Sequence, residues 1–307
     1  MCIRDSYFGV SQRDPETGEL MAGLQYPYRF SAPANTGIDS SMDLNRDGKL
    51  GTGNDAWGYG VYPGQYAMTV FSRFPIQTEQ IRTFQRFKWK DLPDALRPVQ
   101  PGTNEPYYDD VTWEQLRLSS KNHIDVPVVV GDQTVHVLAS HPTPPVFDGP
   151  EDRNGARNHD EIDFWVRYLD NDPSSREWMK DDRGQGGGLE ADSHFFVMGD
   201  LNADPADGNG RRAAIKALLS HPRASDPQPS APAEGVRDRE SRHQGKGDLR
   251  HKTADFGRNG YMRVDYVIPS SDLEVSGGGV FWPASSHPHA DWLKASDHRL
   301  VWLDIRF

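Results

Sequence analysis

The chain has a single cysteine, Cys2, among its 307 residues, so no intrachain disulfide can form. It has no uninterrupted apolar run of about 18 residues, and therefore no expected membrane-spanning helix. Basic residues are outnumbered: 34 Lys and Arg against 45 Asp and Glu leave a net charge of −11. A non-specific nucleic-acid binder usually carries a basic face, so that class is disfavoured, and bound divalent metal would offset some of the acids. Apolar residues make up only 36% and mean hydropathy is −0.75, which points to extensive polar loops. The opening "MCIRDS" lacks the basic end and apolar stretch of an export signal, and it starts neither a strand nor a helix. It reads as the residue of a truncated reading frame, with the natural start upstream.

Glycine (29) and proline (23) are plentiful and punctuate the regular elements. Strands are expected at Tyr66–Ile76, Ile124–Val130, Thr134–His141, Ser193–Asp200 and Met262–Ser270, with a closing strand in "HRLVWLDIRF". Ile162, Trp165, Val166 and Leu169 recur at helical spacing, and "GRRAAIKALLSHP" forms a second helix stopped by Pro222. Residues 223–260 read as a long surface loop. No repeat or break in composition divides the chain. The expectation is one mixed-sheet, layered α/β domain over 1–307, with residues 43–55 as an acidic insertion.

Four short motifs carry chemistry. In "FFVMGDLNADP", Asp200 and Asn202 follow an apolar strand at i and i+2, which directs both to one side; an Asx turn accounts for the same residues. In "SDHRLVWLDI", Asp297 can ligate a hard metal and His298 can act as base or phosphate contact, or the two can be a cap and a surface histidine. Asp265 lies inside the apolar "RVDYVI", where a charge needs a partner, and a histidine is the natural one. His141 ends a strand before a proline-stiffened loop, as a phosphate contact or as a turn residue.

Taken in order, "SRFPI", "GDLNADP", "VDYV" and "SDHRLVW" resemble the endonuclease/exonuclease/phosphatase superfamily, the deoxyribonuclease-I-like fold, over about residues 26–307. "YPYRFSAPANTG", "LSSKNHIDVPV" and "SHPTPPVFDGPEDRNGARNHDEIDFW" resemble a bacterial branch that is generally exported. The resemblance implies a four-layer α/β/β/α sandwich and a metal-dependent phosphoesterase, foremost a nuclease-type phosphodiesterase, with a phosphomonoesterase or phospholipid phosphodiesterase as alternatives. It implies that His141 contacts the scissile phosphate, that Asp200 and Asn202 position the attacking water, that Asp265 orients His298, and that Asp297 ligates Mg²⁺ or Mn²⁺. It also implies an Asn on the first strand and a metal-binding Glu on the second, both upstream of Gly9-Val10-Ser11-Gln12. Glu16 and Glu19 sit in a polar turn and make poor substitutes. The expectation is a chain lacking its first strands, with little activity of its own and an active, secreted or periplasmic, monomeric parent.

Weaker substrate contacts are Lys121 and His123 before a strand, Arg153, Asn154 and Arg157 in the loop after His141, and Thr253 before the Asp265 strand. Each reads equally well as structural. The basic residues Arg237, Arg239, Arg242, Lys246, Arg250 and Lys252 fall among acids and read as a solvated loop.

"DLNRDGKLGTGND" places Asp43, Asn45 and Asp47 at the first, third and fifth positions of a calcium loop, with Gly48 at the turn and Lys49 offering its carbonyl. The twelfth position is Asn54, followed by Asp55, and no helix flanks the loop on either side. A structural Ca²⁺ site is expected rather than a sensor, against a metal-free turn. A non-catalytic, calcium-stabilised binding module is the reading of a different class.

Overall fold

The computed structural model describes residues 9–14 and 17–307. Cys2, the "MCIRDS" opening and Glu16 lie outside the described residues. At the centre is a five-stranded mixed sheet. Its strands, with others that matter below, are β1 (Tyr28–Phe30), β2 (Val70–Ser72), β3 (Arg82–Thr83), β4 (His123–Val130), β5 (Gln133–Ser140), β6 (His194–Asp200), β7 (Asp265–Pro269), β8 (Glu274–Val280) and β9 (Val301–Arg306). The central order is β7-β6-β5-β4-β3.

β4 and β5 form an antiparallel hairpin, whereas β5 and β6 are parallel. A parallel pair needs a crossover, and helix α1 (Arg153–Asp170) supplies it. The helix starts before the predicted apolar repeat and carries Ile162, Phe164, Trp165, Tyr168 and Leu169 into the main core, where they meet Leu138, Phe195 and Val197 of the sheet. Helix α2 (Ala213–Leu219) adds Ala214, Ile215 and Leu218 to the same core.

On the other face, Ile124, Val126, Val128 and Ala139 contact Phe30 and Val70 of the β1–β2 ladder. A separate antiparallel ladder, β8–β9, joins a third cluster of Leu249, Tyr261, Val280 and Trp282. Val236 and Leu293, on short helices, pack against that cluster. The α/β/β/α order therefore stands, with the second β layer built from separate ladders rather than one sheet. Among the described residues, no helix is long and apolar enough to cross a membrane.

Two expectations change. The predicted strand at Tyr66–Ile76 contracts to Val70–Ser72, and Ile76 bridges separately to Val128. Residues 223–260 are not one surface loop: helix α3 (Ala233–Glu240) lies inside them. Gly235 lets this helix approach the Trp282 carbonyl, where a Cβ would collide. Arg239 is buried, donates to the carbonyls of Gly235 and Pro283, and stacks over Trp282. Its buried face is cationic rather than apolar, so a hydrophobic pattern does not reveal it.

Candidate active site

The carboxyl ends of β5 and β6, the start of β7 and the approach to β9 converge on one cleft of about 1800 Å³. His141, Asp200, Asn202, Asp265, Asp297 and His298 all line it. The convergence follows from register. Asp265 pairs directly with Asp200 across the antiparallel β7–β6 ladder. The parallel β5–β6 pairing brings His141 to the same end, and Gly199 keeps the two strands close, since a Cβ there would strike the Ser140 carbonyl. Asn202 adopts a left-handed backbone (φ 50°), which asparagine tolerates. Its N–H donates to Asp200 Oδ1 (2.8 Å) and its Nδ2 to the Pro142 carbonyl (3.1 Å). The Asx turn and the site residue are thus the same feature.

His298 Nδ1 lies 2.9 and 3.0 Å from the two Asp265 oxygens, the partnership the apolar strand requires. Its Nε2 is 3.8 Å from Asp200 Oδ2. The hydrogen bond to Asp265 raises His298 to about 9, so it is a cation at neutral pH. His141 Nε2 is 3.4 Å from Asp200 Oδ2. Burial, then the charges of Lys121 and His298, pushes His141 down to about 3, so it is neutral. Burial and the facing charge of Asp265 raise Asp200.

Among the described residues, one group of His, Cys, Asp and Glu brings its ligand atoms within 4.8 Å of one another: Asp200, Asp265 and His298. Asp265 is engaged by His298, which leaves Asp200 as the free carboxylate. Burial and the facing Asp265 disfavour the Asp200 charge more than His298 and Lys121 offset it, and a hard divalent cation would relieve that imbalance, so Asp200 suits such an ion. Asp297 does not join this group; it is exposed at the rim, and its carbonyl accepts the Asp255 N–H. No glutamate among the described residues lines the cleft.

Lys121 is 5% exposed at the cleft floor and donates to the Pro142 carbonyl (3.3 Å) beside Asn202. Burial lowers its amine to about 8. Arg153 lines the cleft, paired with Glu151. Three proposed substrate contacts have protein partners in the fold, and of these Arg157 lines the cleft whereas His123 and Thr253 do not. His123 is fully buried, bonded to Ser119 Oγ and to the Glu161 carbonyl (2.7 Å), because β4 turns it inward toward Phe164 and Trp165. Arg157 donates to the carbonyls of Leu118 (2.9 Å), Trp57 (2.6 Å) and Arg117 (2.9 Å), which ties loops together. Thr253 Oγ1 accepts the N–H groups of Val264 and Asp265 (both 3.0 Å) and so fixes the start of β7.

Thr253 belongs to a segment, residues 252–255, that stitches the site together. Lys252 Nζ binds Asp204 (2.7 Å) just beyond Asn202, and Asp204 in turn accepts the Arg263 N–H (2.7 Å) before Asp265. Ala254 bridges His298, and the Asp255 N–H reaches the Asp297 carbonyl (2.9 Å). Helix α1 supplies a second brace. Glu161 accepts the N–H groups of Ser120 and Thr143 (both 2.6 Å), and Asn158 Nδ2 donates to the carbonyls of Thr143 (2.8 Å) and Leu201 (3.0 Å). Sequence reasoning missed Asn158, Glu161, Asp204 and Lys252. Asn158 and Glu161 share the helical face of Trp165, and that spacing was the available signal.

The acidic loop folds differently. Asp43 accepts the N–H groups of Asp47 (3.1 Å) and Gly48 (2.8 Å), Asp47 accepts that of Lys49 (2.9 Å), and Asn45 donates to Asp47 (3.0 Å). Asp55 is wholly buried and caps a turn, accepting from Leu44 N, Thr52 N and Thr52 Oγ1, so it is unavailable as a calcium ligand.

A strand-end cluster of two carboxylates and two histidines, over a layered mixed sheet, defines an acid–base site of the kind that handles an anionic substrate. The chain belongs to the endonuclease/exonuclease/phosphatase family, whose model matches residues 12–298. No match is found among curated proteins. Among solved structures, it is similar to an endonuclease/exonuclease/phosphatase from Beutenbergia cavernae DSM 12333 (17% identity, TM-score 0.49), covering 99% of this chain and 64% of that one. It is also similar to an endonuclease/exonuclease/phosphatase family protein from Leptotrichia buccalis C-1013-b (15% identity, TM-score 0.43; 92% and 73%). A third is sphingomyelinase C from Streptomyces griseocarneus (15% identity, TM-score 0.38; 91% and 74%). The chain thus spans less than two thirds of the length of the first of these.

Proposed function

We propose that the chain hydrolyses phosphodiesters with the help of a divalent cation, Mg²⁺ or Mn²⁺, and that nucleic-acid phosphodiesters come first among its substrates. The observation that carries this reading is the pairing of a cationic, Asp265-held His298 with an adjacent carboxylate, Asp200, whose charge is disfavoured by burial and by the facing Asp265. His298 holds a proton at neutral pH and donates it toward a phosphoryl oxygen. Asp200 and Asn202 position the attacking water beside the phosphate. Neutral His141 donates a hydrogen bond to the phosphate, and Lys121 adds a positive charge at the floor. A cation held by Asp200, with Asn202 and Asp297 in the same cleft, supplies charge neutralisation at the phosphoryl group.

A diester is favoured over a monoester on size. The cleft, at about 1800 Å³, exceeds the roughly 300–1,000 Å³ of an ordinary small-molecule pocket, leaving room on both sides of a phosphate. With no glutamate among the described cleft residues, turnover by the 307-residue chain is expected to be slow, so the assay is single-turnover at excess protein. The substrates are a DNA dinucleotide, p-nitrophenyl phosphate and a choline phospholipid, each with Mg²⁺, Mn²⁺ or EDTA. Metal-dependent cleavage of the dinucleotide, lost in Asp200→Asn, is the expected result. Preference for the monoester or the phospholipid overturns the nuclease reading. Calcium binding without cleavage of any substrate would leave the non-catalytic module.

A further inference from the structure

Two bulky residues at the cleft break a backbone rule. Tyr66 and Phe147 have φ of 63° and 65°. For residues of this size a left-handed backbone is an outlier that persists only where the surroundings impose it. Both aromatic side chains are more than half exposed, Tyr66 at 51% and Phe147 at 88%. Both line the cleft that contains Asp200, Asp265 and His298. Both also adjoin His141: the Tyr66 backbone hydrogen-bonds its ring, and Phe147 stands on the loop that follows it.

The Phe147 loop is pinned. Asn154, in the first turn of α1, donates its Nδ2 to the Val146 carbonyl (2.7 Å) and its N–H to Asp148 Oδ2 (2.7 Å). The residues on either side of Phe147 are therefore fixed while its ring is held in water. A packing role would bury the ring, and an idle loop tip would not be clamped on both sides. Asn154 thereby acts as a positioning residue rather than a direct contact.

We propose that Tyr66 and Phe147 form an aromatic platform at the mouth of the cleft that takes a planar ring of the substrate, a nucleobase attached to the phosphate being hydrolysed. The proposal rests on the phosphodiesterase reading above and names its substrate class. Stacking on an aromatic side chain suits every base, because each has a π-face. A membrane is the poorer occupant, because the rings line a concave cleft beside the reacting groups rather than a convex face. An interfacial wedge instead needs apolar area flanked by cations.

The test is read by binding, so it does not depend on turnover. A phosphorothioate dinucleotide with 2-aminopurine as one base is titrated with the 307-residue chain, and stacking is followed as quenching of its fluorescence. Quenching is expected with the wild type and with Phe147→Trp. Affinity should fall roughly 5- to 100-fold in Phe147→Ala and Phe147→Leu, the range for one lost stacked base. An abasic analogue of the same length should bind wild type and variants equally. The Phe147 ring is exposed, so circular dichroism and the melting temperature of these variants should match the wild type. Absence of quenching with wild type overturns the platform, as does equal affinity of wild type and Phe147→Ala for the base-bearing ligand. Loss of binding to phosphatidylcholine vesicles in Phe147→Ala, with dinucleotide binding intact, assigns the ring to a membrane and also overturns it. Quenching without cleavage would refute the hydrolytic reading while leaving the platform in place.

Discussion

The chain holds carboxylates in two acid-rich regions, and it treats them in opposite ways. In the loop at 43–55, Asp43, Asp47 and Asp55 turn their oxygens onto backbone N–H groups of their own segment. Asn45 and the Lys49 N–H even hold the fully exposed Asp47 below the usual carboxylate range. At the end of the central sheet, Asp200 and Asp265 face each other in register, and Asp200 rises. The difference lies in the backbone beneath. A loop can relax until its acids are satisfied locally, whereas two hydrogen-bonded strands cannot move apart to relieve the repulsion. Rigid secondary structure thus holds two carboxylates against their mutual repulsion, an arrangement that a bound cation would relieve.

The comparison breaks most easily by mutation. Asp200→Asn and Asp265→Asn should each lower single-turnover phosphodiester cleavage by roughly 10²–10⁴-fold, the usual yield of a positioned acid–base group. Asp43→Asn and Asp47→Asn should leave the rate within about twofold, since their carboxylates serve their own turn. A large loss from the loop variants would show that the loop acts in the reaction and erase the distinction.

The sheet end also has a brace that the loop lacks. Lys252 is 2% exposed and binds both Asp204 (2.7 Å) and Asp207 (2.5 Å). Lys252→Met leaves two inward-facing carboxylates unpaired, and breaking a buried pair from one side costs about 3–5 kcal/mol. The expected readout is a lower urea midpoint at unchanged m-value. A shift no larger than that of an exposed ion pair would mean that the segment at 252–255 does not hold the site together.

How much of this was legible in the sequence depends on where each residue's partner lies. β4, β5 and β6 are buried strands and announce themselves as apolar runs; His141 and Asp200 fall at the ends of β5 and β6, Asp265 opens β7 and His298 precedes β9, where local pattern is enough. Lys252 and Asp204 stand 48 residues apart, and neither segment betrays the other. Read alone, Lys252 belongs to a charged surface loop. The same limit applies to His123: a polar residue beside a site motif looks functional, while the fold places it away from the cleft against the Glu161 carbonyl and the Ser119 hydroxyl. Helix α3 escaped notice because its buried residue is Arg239, whose partner is the Trp282 ring.

Acid separates the two regions by pH. Burial lowers His123 to about 4 from the 6.5 of a free histidine. The unfolded chain therefore binds a proton there that the folded chain refuses. The stabilisation is full above pH 6.5 and is lost as the pH falls toward 4, by on the order of 3 kcal/mol. Asp47 is depressed in the fold, so its contribution is present above the 3.8 of a free aspartate and is lost only at lower pH. Urea unfolding between pH 7 and 4 should thus lose the His123 contribution together with that of His141, which burial also pushes down to about 3, while the raised Asp200 acts in the opposite sense; His123→Gln should remove its own share and make the limb shallower. An unchanged slope in the variant would place the acid sensitivity elsewhere.

The smallest effect belongs to calcium. An ion in the loop must displace backbone N–H groups from Asp43 and Asp47, and the buried, turn-capping Asp55 cannot close the coordination in place of the glutamate such loops use. What remains, Asp43, Asn45, Asp47 and the Lys49 carbonyl, matches the weak end of calcium loops, with a dissociation constant of about 1 mM or above. At 1 mM calcium the resulting stabilisation is about 0.4 kcal/mol or less. Asp43→Ala, which releases two N–H groups, should cost more, about 1 kcal/mol, with or without the ion. Calorimetry on wild type and Asp47→Ala checks the first number, and urea unfolding in calcium and in EDTA checks the second. Micromolar calcium binding would mean that the loop rearranges around the ion, and the contrast between relaxed and rigid carboxylates would then hold only in its absence.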